Sequence, residues 1–212
     1  MILAHSALPR GRPLNAVVAL CRALDFAARK HIDQRRKGAR AEPYLNHLAE
    51  VARLLAEATG GDDPALVIAG LLHDTLEDTA TSRAELVAAF GTDVADLVAE
   101  VSDDKSLASA ERKRLQIEHA ASRSARAKLI KIADKTSNLR GIATSPPADW
   151  SSARKRTYFE WAVAVVAGCR GVNPRLEGWF DDAYRTGVAA LSAAEAMSAA
   201  EASGTNNSPS RA

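Results

Sequence analysis

The sequence predicts an all-α fold formed by a single domain of about eight to ten helices. Its 212 residues are 47% hydrophobic and 25% charged, a length and composition with which one compact domain buries a full core. Only 5% of the residues are aromatic. Alanine and leucine recur throughout, and valine and isoleucine lie within helical periods rather than in alternating runs. These observations favour helices over strands.

The N-terminal part is predicted to begin with a flexible segment at residues 1–13, because this segment contains closely spaced proline and glycine. We place the domain itself at 14–191. Apolar residues recur at helical spacing from the start of the domain to about Lys30, which predicts a first helix. Cys21 lies in this apolar pattern and Cys169 in a later one, so we expect both to be buried thiols of a protein in a reducing compartment.

The second and third helices are bounded by residues with clear terminal preferences. The second is predicted to stop at Gly60-Gly61, because glycine readily adopts the left-handed conformation at a helix C-terminus. Asp63 is predicted to cap the third helix, with Pro64 at its first position. Since residues 66–72 are nearly all apolar, we expect the third helix to be the most buried one.

The remaining helices are predicted from capping residues and helical periodicity. Ser82 and Glu85 have the spacing of a capping box, in which each side chain bonds the backbone of the other residue. The further helices are expected at about 82–90, 92–101, 110–120, 124–142, 150–169 and 175–191. Residues 192–212 are dominated by small and polar residues, and we predict that they form a disordered tail.

The charge and hydropathy of the chain exclude two classes of partner. A formal net charge of +2 argues against nucleic acid, because nucleic-acid-binding domains usually carry a clear basic excess on one face. The N-terminus lacks a basic segment followed by an apolar core, and no apolar stretch approaches the roughly 20 residues that span a membrane. We therefore expect a cytoplasmic protein that binds neither nucleic acid nor a membrane.

Four ionisable residues are crowded at the end of the apolar third helix, namely His73 and Asp74 followed by Glu77 and Asp78. At helical spacing we expect His73 to face Glu77 and Asp74 to face Asp78. Carboxylates beside a buried apolar helix repel one another and lose solvation unless a positive charge compensates them. A divalent cation would supply this charge, although a histidine–aspartate pair alone also occurs at ordinary solvated helix ends.

Two further residues complete a candidate metal site. His47 lies about one helix upstream, and Asp134 lies on the polar side of the helix at 124–142. Two imidazoles and two carboxylates from three helices form a mixed nitrogen and oxygen donor set, which suits Mn, Fe, Co, Ni or Zn better than Ca. Such a set leaves coordination positions open for water and substrate.

Basic residues near this site predict a phosphorylated ligand. The residues that share the Asp134 face of its helix are Lys131, Lys135 and Asn138. The loop after the first helix contains Arg36 and Lys37, whose charged groups suit phosphate oxygens, and an arginine plane also stacks on a purine base. The alternative interpretation is that these charges belong to a solvated face and a solvated loop.

The assembled motifs resemble those of the HD superfamily, and more closely its RelA/SpoT-like alarmone hydrolases, which implies an HD-type helical domain. The resemblance covers about residues 20–180, and its specificity comes from the order and spacing of many short motifs. These include Gln34-Arg35-Arg36-Lys37, Asn46-His47, Leu71-Leu72-His73-Asp74-Thr75, Glu77-Asp78-Thr79, Ala133-Asp134-Lys135 and Tyr158-Phe159-Glu160-Trp161. The chain departs from the pattern at Leu48, where relatives often have proline, and at Ser137, where an aromatic residue or histidine often precedes the asparagine.

The resemblance implies a role for each residue of the site. The ligands of one Mn²⁺ would be His47, His73, Asp74 and Asp134. Glu77 and Asp78 would orient and deprotonate the attacking water or protonate the leaving group. The residues expected around the nucleotide are Arg36, Lys37, Lys131, Lys135, Asn138 and Tyr158.

The function that follows is hydrolysis of the 3′-diphosphate of the guanosine alarmone (p)ppGpp to GDP or GTP and pyrophosphate. The chain is too short for the synthetase and regulatory domains of long family members, so we expect it only to degrade the alarmone. Two alternatives stay open. One is a phosphatase acting on another nucleotide with a ribose phosphate, such as the 2′-phosphate of NADPH, and the other is a non-catalytic alarmone sensor.

Overall fold

The computed structural model describes residues 15–204, which form ten helices and no strand, so the predicted all-α fold is confirmed. The helices are α1 (Ala16–Lys30), α2 (Leu45–Thr59), α3 (Pro64–Leu72), α4 (Thr75–Asp78), α5 (Arg83–Phe90), α6 (Thr92–Val101), α7 (Ser109–Ala120), α8 (Ala125–Thr144), α9 (Ser152–Ala167) and α10 (Pro174–Gly204). Within this described range no helix is long and apolar enough to cross a membrane. The predicted flexible segment at 1–13 lies outside the described residues.

Capping residues set the ends of several helices, as the sequence predicts. α2 ends at Gly60, whose φ of 72° is in the left-handed region that favours glycine. The Asp63 carboxylate accepts a hydrogen bond from a backbone N–H in the first turn of α3. Ser82 caps α5 by accepting from the backbone N–H of Glu85. The Glu85 side chain forms an ion pair with Lys30 of α1, at 2.8 Å, instead of completing the predicted capping box.

α3 lies at the centre of the core, because every residue from Leu66 to Leu72 is buried. It packs against α1, α2, α6 and α8, while α8 also packs against α2 and α10. The helices α2, α3 and α8 thus contact one another, and His47, His73 and Asp134 lie where they meet. Apolar packing of these helices holds the polar side chains at their junction in fixed positions.

The outward face of α1 contradicts the prediction made from its apolar pattern. Val17 and Leu24 are 66% and 42% exposed, and Cys21 is exposed as well. The buried residues of α1 are Ala23 and Ala27, which let the helix approach α3 closely and turn its larger side chains outward. The prediction of two buried thiols is therefore wrong for Cys21, whereas the other cysteine is buried as expected.

α10 continues to Gly204, although the sequence predicts a disordered tail at 192–212. Alanine has the highest helix propensity, so the alanine-rich sequence of this segment favours a longer helix. Arg156 of α9 also donates a hydrogen bond to the Glu195 carboxylate, at 3.0 Å, which ties the extension to the domain. The predicted tail is wrong as far as Gly204, and 205–212 lie outside the described residues.

Candidate metal and phosphate site

A buried polar cluster forms where α2, α3 and α8 meet. One ring nitrogen from each of His47 and His73 and one carboxylate oxygen of Asp134 lie within 4.8 Å of one another. These three residues are only 2%, 5% and 8% exposed. Asp74 completes the cluster, since its Oδ2 is 3.0 Å from Nε2 of His73 and 3.7 Å from Nε2 of His47. The structure therefore brings together all four residues that the sequence identifies as candidate ligands.

Both imidazoles are oriented by a hydrogen bond at Nδ1. Nδ1 of His73 lies 2.8 Å from the carbonyl oxygen of Gly70, which can only accept, so Nδ1 carries a proton. Nδ1 of His47 lies 2.8 Å from Oγ of Ser137. Both Nε2 atoms are buried and, among the described residues, neither makes a hydrogen bond of good geometry, although Oδ2 of Asp74 lies 3.0 Å from Nε2 of His73. Because unpartnered buried nitrogens are rare, and imidazole is a common ligand of transition metals, these atoms fit a bound cation.

The electrostatics of the cluster also fit a cation. Burial alone would raise the pKa of Asp74, but the imidazoles of His73 and His47 outweigh burial and hold it below its usual value. Burial lowers the pKa of His73, but the carboxylates of Asp74 and Asp134 outweigh burial and raise the value to about 9. The two carboxylates therefore create a negative electrostatic potential at Nε2 of His73. This potential stabilises a divalent cation more strongly than a single proton, because the cation carries twice the charge.

Hydrogen bonds from neighbouring side chains fix the two carboxylates. The Tyr44 hydroxyl donates to Oδ2 of Asp74 at 2.6 Å. Burial and the Asp74 carboxylate raise the pKa of Tyr44, so the phenol stays protonated and remains a donor. Asp134 accepts from the Asn138 amide at 2.6 Å and from the Lys135 ammonium at 2.8 Å. No role is predicted for Tyr44 from the sequence, although this tyrosine stands three residues before His47.

Glu77 and Asp78 lie on the short helix α4, beside the cluster. Nζ of Lys105 is 2.6 Å from Oδ1 of Asp78 and 3.5 Å from Oε1 of Glu77. Nη1 of Arg112 lies 3.4 Å from Oε1 of Glu77. Side chains from the α6–α7 loop and from α7 thus supply the positive charge that this pair of carboxylates requires. From the sequence, only a cation is expected to supply this charge, because residues so distant in sequence show no pattern that links them to α4.

The two carboxyl groups of α4 differ in their surroundings. Burial, followed by the charges of Asp103 and Asp74, raises the pKa of Glu77. Oε2 of Glu77 accepts a hydrogen bond from the backbone N–H of Asp103, at 3.1 Å. The Asp78 carboxylate accepts from Gln34 at 3.0 Å in addition to Lys105. The Glu77 carboxyl group therefore has a raised pKa, whereas the Asp78 carboxylate is held by two hydrogen-bond donors.

One pocket of about 380 Å³ opens over this cluster. It is lined by Asp74, Glu77 and Asp78 and by all six residues that the sequence predicts around a nucleotide, namely Arg36, Lys37, Lys131, Lys135, Asn138 and Tyr158. The guanidinium of Arg36 donates to the side-chain oxygen of Asn138 at 3.0 Å, which joins the basic loop to α8. The Lys131 ammonium donates to the Val101 carbonyl at 2.6 Å, so it is held at the wall of the pocket.

An aromatic wall of this pocket was largely missed from the sequence. The ring of Tyr158 lies 5.5 Å from that of Trp150 and 5.2 Å from that of Trp161, measured between centroids. Lys113 lies 5.1 Å and Lys135 lies 4.3 Å from the Trp161 centroid. The spacing of Tyr158 and Trp161 on one helix was a signal for part of this wall. Trp150 precedes that helix, so no helical periodicity links it to the others.

Comparison with known proteins agrees with this geometry. A family model described as HD domain matches residues 23–163. The protein named guanosine-3′,5′-bis(diphosphate) 3′-pyrophosphohydrolase MESH1 is 50% identical in Xenopus tropicalis over 162 residues, covering 76% of this chain and 90% of that protein. Its Homo sapiens counterpart is 51% identical over 158 residues, covering 74% of this chain and 88% of that protein.

A solved structure has the same fold. It is described as a metazoan ortholog of SpoT that hydrolyzes ppGpp and plays a role in starvation responses. Its TM-score to this chain is 0.76 at 46% sequence identity, and the match covers 79% of this chain and 94% of that one. The resemblance noted from the motifs is therefore confirmed, and the chain belongs to the HD-domain family, among the guanosine-3′,5′-bis(diphosphate) 3′-pyrophosphohydrolases.

Proposed function

We propose that this protein hydrolyses the 3′-diphosphate of ppGpp and pppGpp, releasing pyrophosphate with GDP or GTP. The observation that carries the proposal is the composition of one pocket, in which a buried set of imidazoles and carboxylates lies beside an acidic pair and a basic wall. The names of the relatives that are about half identical to this chain support the same activity and substrate.

The cation that we propose is Mn²⁺, one per chain. The residues that would hold it are His47, His73, Asp74 and Asp134, and a mixed nitrogen and oxygen set of this kind suits Mn²⁺. When bound, such a cation polarises phosphate oxygens and lowers the pKa of a bound water. Tyr44, Asn138 and Lys135 then keep the two carboxylates in position through the hydrogen bonds described above.

We assign proton handling to Glu77 and Asp78. In this hydrolysis the oxygen of water forms a bond to phosphorus, the bond from phosphorus to the ribose 3′ oxygen breaks, and that oxygen gains a proton. Glu77, whose pKa is raised, can hold the proton that the 3′ oxygen requires. Asp78, fixed by Lys105 and Gln34, can accept a hydrogen bond from the attacking water and receive its proton.

Recognition of the nucleotide is assigned to the basic and aromatic walls. Arg36 and Lys37 come from the α1–α2 loop, and Lys131 and Lys135 come from α8, so cationic groups face the pocket from two sides. Phosphate groups pair well with such donors. The Tyr158 ring provides a flat surface for a purine base, and the rings of Trp150 and Trp161 both contact it.

The proposal is tested by product analysis on a panel of nucleotides with Mn²⁺ present and absent. The panel contains ppGpp, pppGpp and NADPH. We expect Mn²⁺-dependent release of pyrophosphate from the two alarmones, and we expect Asp74→Ala and His73→Ala to lose it. Asp182→Ala on the exposed surface of α10 is the matched control and should keep full turnover.

Three results of this experiment would each lead to a different conclusion. Release of phosphate from NADPH at a higher kcat/KM than pyrophosphate release from ppGpp would replace the alarmone with a ribose 2′-phosphate substrate. Tight binding of ppGpp without turnover would indicate a sensor. Undiminished turnover in Asp74→Ala or His73→Ala would show that these residues do not carry the reaction.

A further inference from the structure

A chain of hydrogen bonds reaches Nδ1 of His47, whereas Nε2 of the same ring lies near Asp134. Oγ of Ser137 lies 2.8 Å from Nδ1 of His47 and 2.8 Å from Oε2 of Glu50. The other carboxylate oxygen of Glu50 accepts from the guanidinium of Arg140 at 3.0 Å. Ser137 is fully enclosed, with 1% of its surface exposed. The four side chains thus form a continuous path from a half-buried arginine to a buried imidazole.

The path is built from matching positions on two packed helices. His47 and Glu50 are three residues apart on α2, and Ser137 and Arg140 are three residues apart on α8. Each pair therefore lies on one face of its helix, and the two faces meet at the α2–α8 contact.

The chemistry of the path determines where its protons lie. Burial raises the pKa of Glu50, but the hydrogen bonds from Ser137 and Arg140 outweigh burial and hold the pKa below its usual value, so Glu50 is a carboxylate that only accepts. The single hydroxyl proton of Ser137 is therefore donated to Glu50. Oγ of Ser137 can then only accept from the imidazole, which places a proton on Nδ1 of His47.

A neutral imidazole protonated at Nδ1 has its lone pair on Nε2, the atom that faces Asp134 and His73. We propose that Ser137 and Glu50 are positioning residues that hold His47 in this tautomer and ring orientation, so that Nε2 is presented to a divalent cation. The inference rests on the metal site of the proposed function. It extends that site to two residues that touch neither the cation nor the substrate.

The variants follow from the direction of each hydrogen bond. Ser137→Ala removes the acceptor for Nδ1, so both tautomers of His47 become populated. Glu50→Gln introduces an amide that can donate to Ser137, which lets the hydroxyl donate to Nδ1 and favours the opposite tautomer. Ser137→Thr keeps the hydroxyl and adds one methyl group at a position that borders a cavity of about 330 Å³.

The first measurement reads the tautomer in metal-free protein, by long-range ¹H–¹⁵N NMR of the histidine rings. We expect the Nδ1–H form of His47 in the wild type and in Ser137→Thr, a mixture in Ser137→Ala, and a shift toward Nε2–H in Glu50→Gln. Glu57→Gln, an exposed position on the same helix, is the matched control and should keep the wild-type form. The same tautomer in all five proteins would overturn the inference.

The second measurement is the affinity for Mn²⁺ alone, by titration calorimetry. Loss of a partner that orients a metal-bound histidine typically weakens metal affinity by roughly 10-fold to 100-fold. We expect a weakening of that size in Ser137→Ala and Glu50→Gln and near-wild-type binding in Ser137→Thr. If circular dichroism shows that Ser137→Ala fails to fold, Glu50→Gln is used for the test. This variant leaves His47, Ser137 and Arg140 unchanged and replaces only the carboxylate by an amide of the same shape.

The outcomes separate this inference from the function on which it rests. A wild-type protein that binds no Mn²⁺ would contradict the metal site of the proposed function. A wild-type protein that binds Mn²⁺ and releases pyrophosphate, together with Ser137→Ala and Glu50→Gln proteins of unchanged affinity and tautomer, would contradict only the positioning role of Ser137 and Glu50.

Discussion

At the scale of single residues, the four carboxylates of the site differ in the side chains that surround and hydrogen-bond them. Asp74 is held by a phenol and Asp134 by an amide and an ammonium group. Glu77 is half-buried beside other acids, whereas Asp78 is anchored by Lys105. Neighbouring carboxylates thus acquire different roles, two as candidate metal ligands and two as candidate proton carriers.

Tyr44→Phe tests the partner of Asp74. The variant removes the 2.6 Å hydrogen bond to the Asp74 carboxylate and changes little else, because both rings have the same shape. We expect Mn²⁺ affinity and kcat/KM for ppGpp to fall by roughly 10-fold to 100-fold, the usual effect of losing a partner of a metal ligand. Tyr184→Phe on α10 is the matched control. Equal affinities in the two variants would remove Tyr44 from the site.

Glu50→Gln tests the charge of the carboxylate that Ser137 and Arg140 hold. A carboxyl group whose pKa is lowered by folding stabilises the protein above its unfolded pKa, and this contribution is lost as the pH falls through the folded value. Glu50 is such a group, since its pKa lies below the ordinary value of 4.5. The variant should therefore be less stable near neutral pH by about 1–2 kcal/mol, as expected for a charged hydrogen bond.

The pH dependence of this difference is measured by urea unfolding of both proteins. The gap between wild type and Glu50→Gln should narrow as the pH falls below about 4.5, because protonation then removes the charge from Glu50 in the wild type as well. A gap that stays constant across this range would show that the charge of Glu50 contributes nothing to stability.

Residues of the candidate site are predictable from the sequence where chemistry and helical spacing coincide. His73 and Asp74 follow an apolar run, and Lys135 and Asn138 share a helix face with Asp134, so local pattern was sufficient. Contacts between residues that are far apart in the chain could not be predicted in this way. Arg112, for example, contacts Glu77 from 35 positions away, and no local pattern links the two residues.

At the scale of the elements, the ends of helices could be predicted from the local sequence, whereas the buried face of a helix depends on how it packs against other helices. The caps at Gly60 and Asp63 were predicted because the preference of a terminal residue is local. The burial of Cys21 was predicted wrongly because Ala23 and Ala27, rather than the larger apolar residues, form the buried face of α1, which packs against α3. The end of α10 was placed too early because an alanine-rich segment resembles a tail in composition and a helix in propensity.

Gly187→Ala tests the close contact between α9 and α10. A Cβ atom at this position would lie 2.1 Å from the ring of Phe159, which is buried and cannot move aside freely. We expect a loss of about 1–3 kcal/mol of unfolding free energy, typical of overpacking. Gly178→Ala on the same helix meets nothing within 4 Å and should instead raise stability by up to about 1 kcal/mol through helix propensity. Equal changes in unfolding free energy for the two variants, measured by urea unfolding, would contradict the close contact between Gly187 and Phe159.

At the scale of the whole molecule, the candidate ligands join parts of the chain that are distant in sequence. His47 lies in the first turn of α2, His73 follows the last residue of α3, and Asp134 lies in the middle of α8. These three helices pack against one another. A cation bound there would hold these helices to one another, and it would bind the folded state in preference to the unfolded one. Metal binding and global stability should therefore be coupled.

This coupling is measured by the thermal midpoint of metal-free protein with and without Mn²⁺. At a concentration about 100 times Kd, a ligand adds about 2.7 kcal/mol, which corresponds to a rise of roughly 5–10 °C for a chain of this size. We expect that rise in the wild type and in Asp182→Ala, and no rise in Asp134→Ala. A rise of the same size in Asp134→Ala would place the ion elsewhere.

The central claim is that one cation, held by His47, His73, Asp74 and Asp134, supports release of pyrophosphate from ppGpp. It is tested most directly by adding Mn²⁺ stepwise to metal-stripped protein while bound metal and released pyrophosphate are recorded together. We predict no turnover without the ion, a rate that rises with occupancy and reaches its plateau at one ion per chain, and no turnover at any Mn²⁺ concentration in Asp134→Ala. Full turnover in the stripped protein, or an unchanged titration in Asp134→Ala, would contradict the claim.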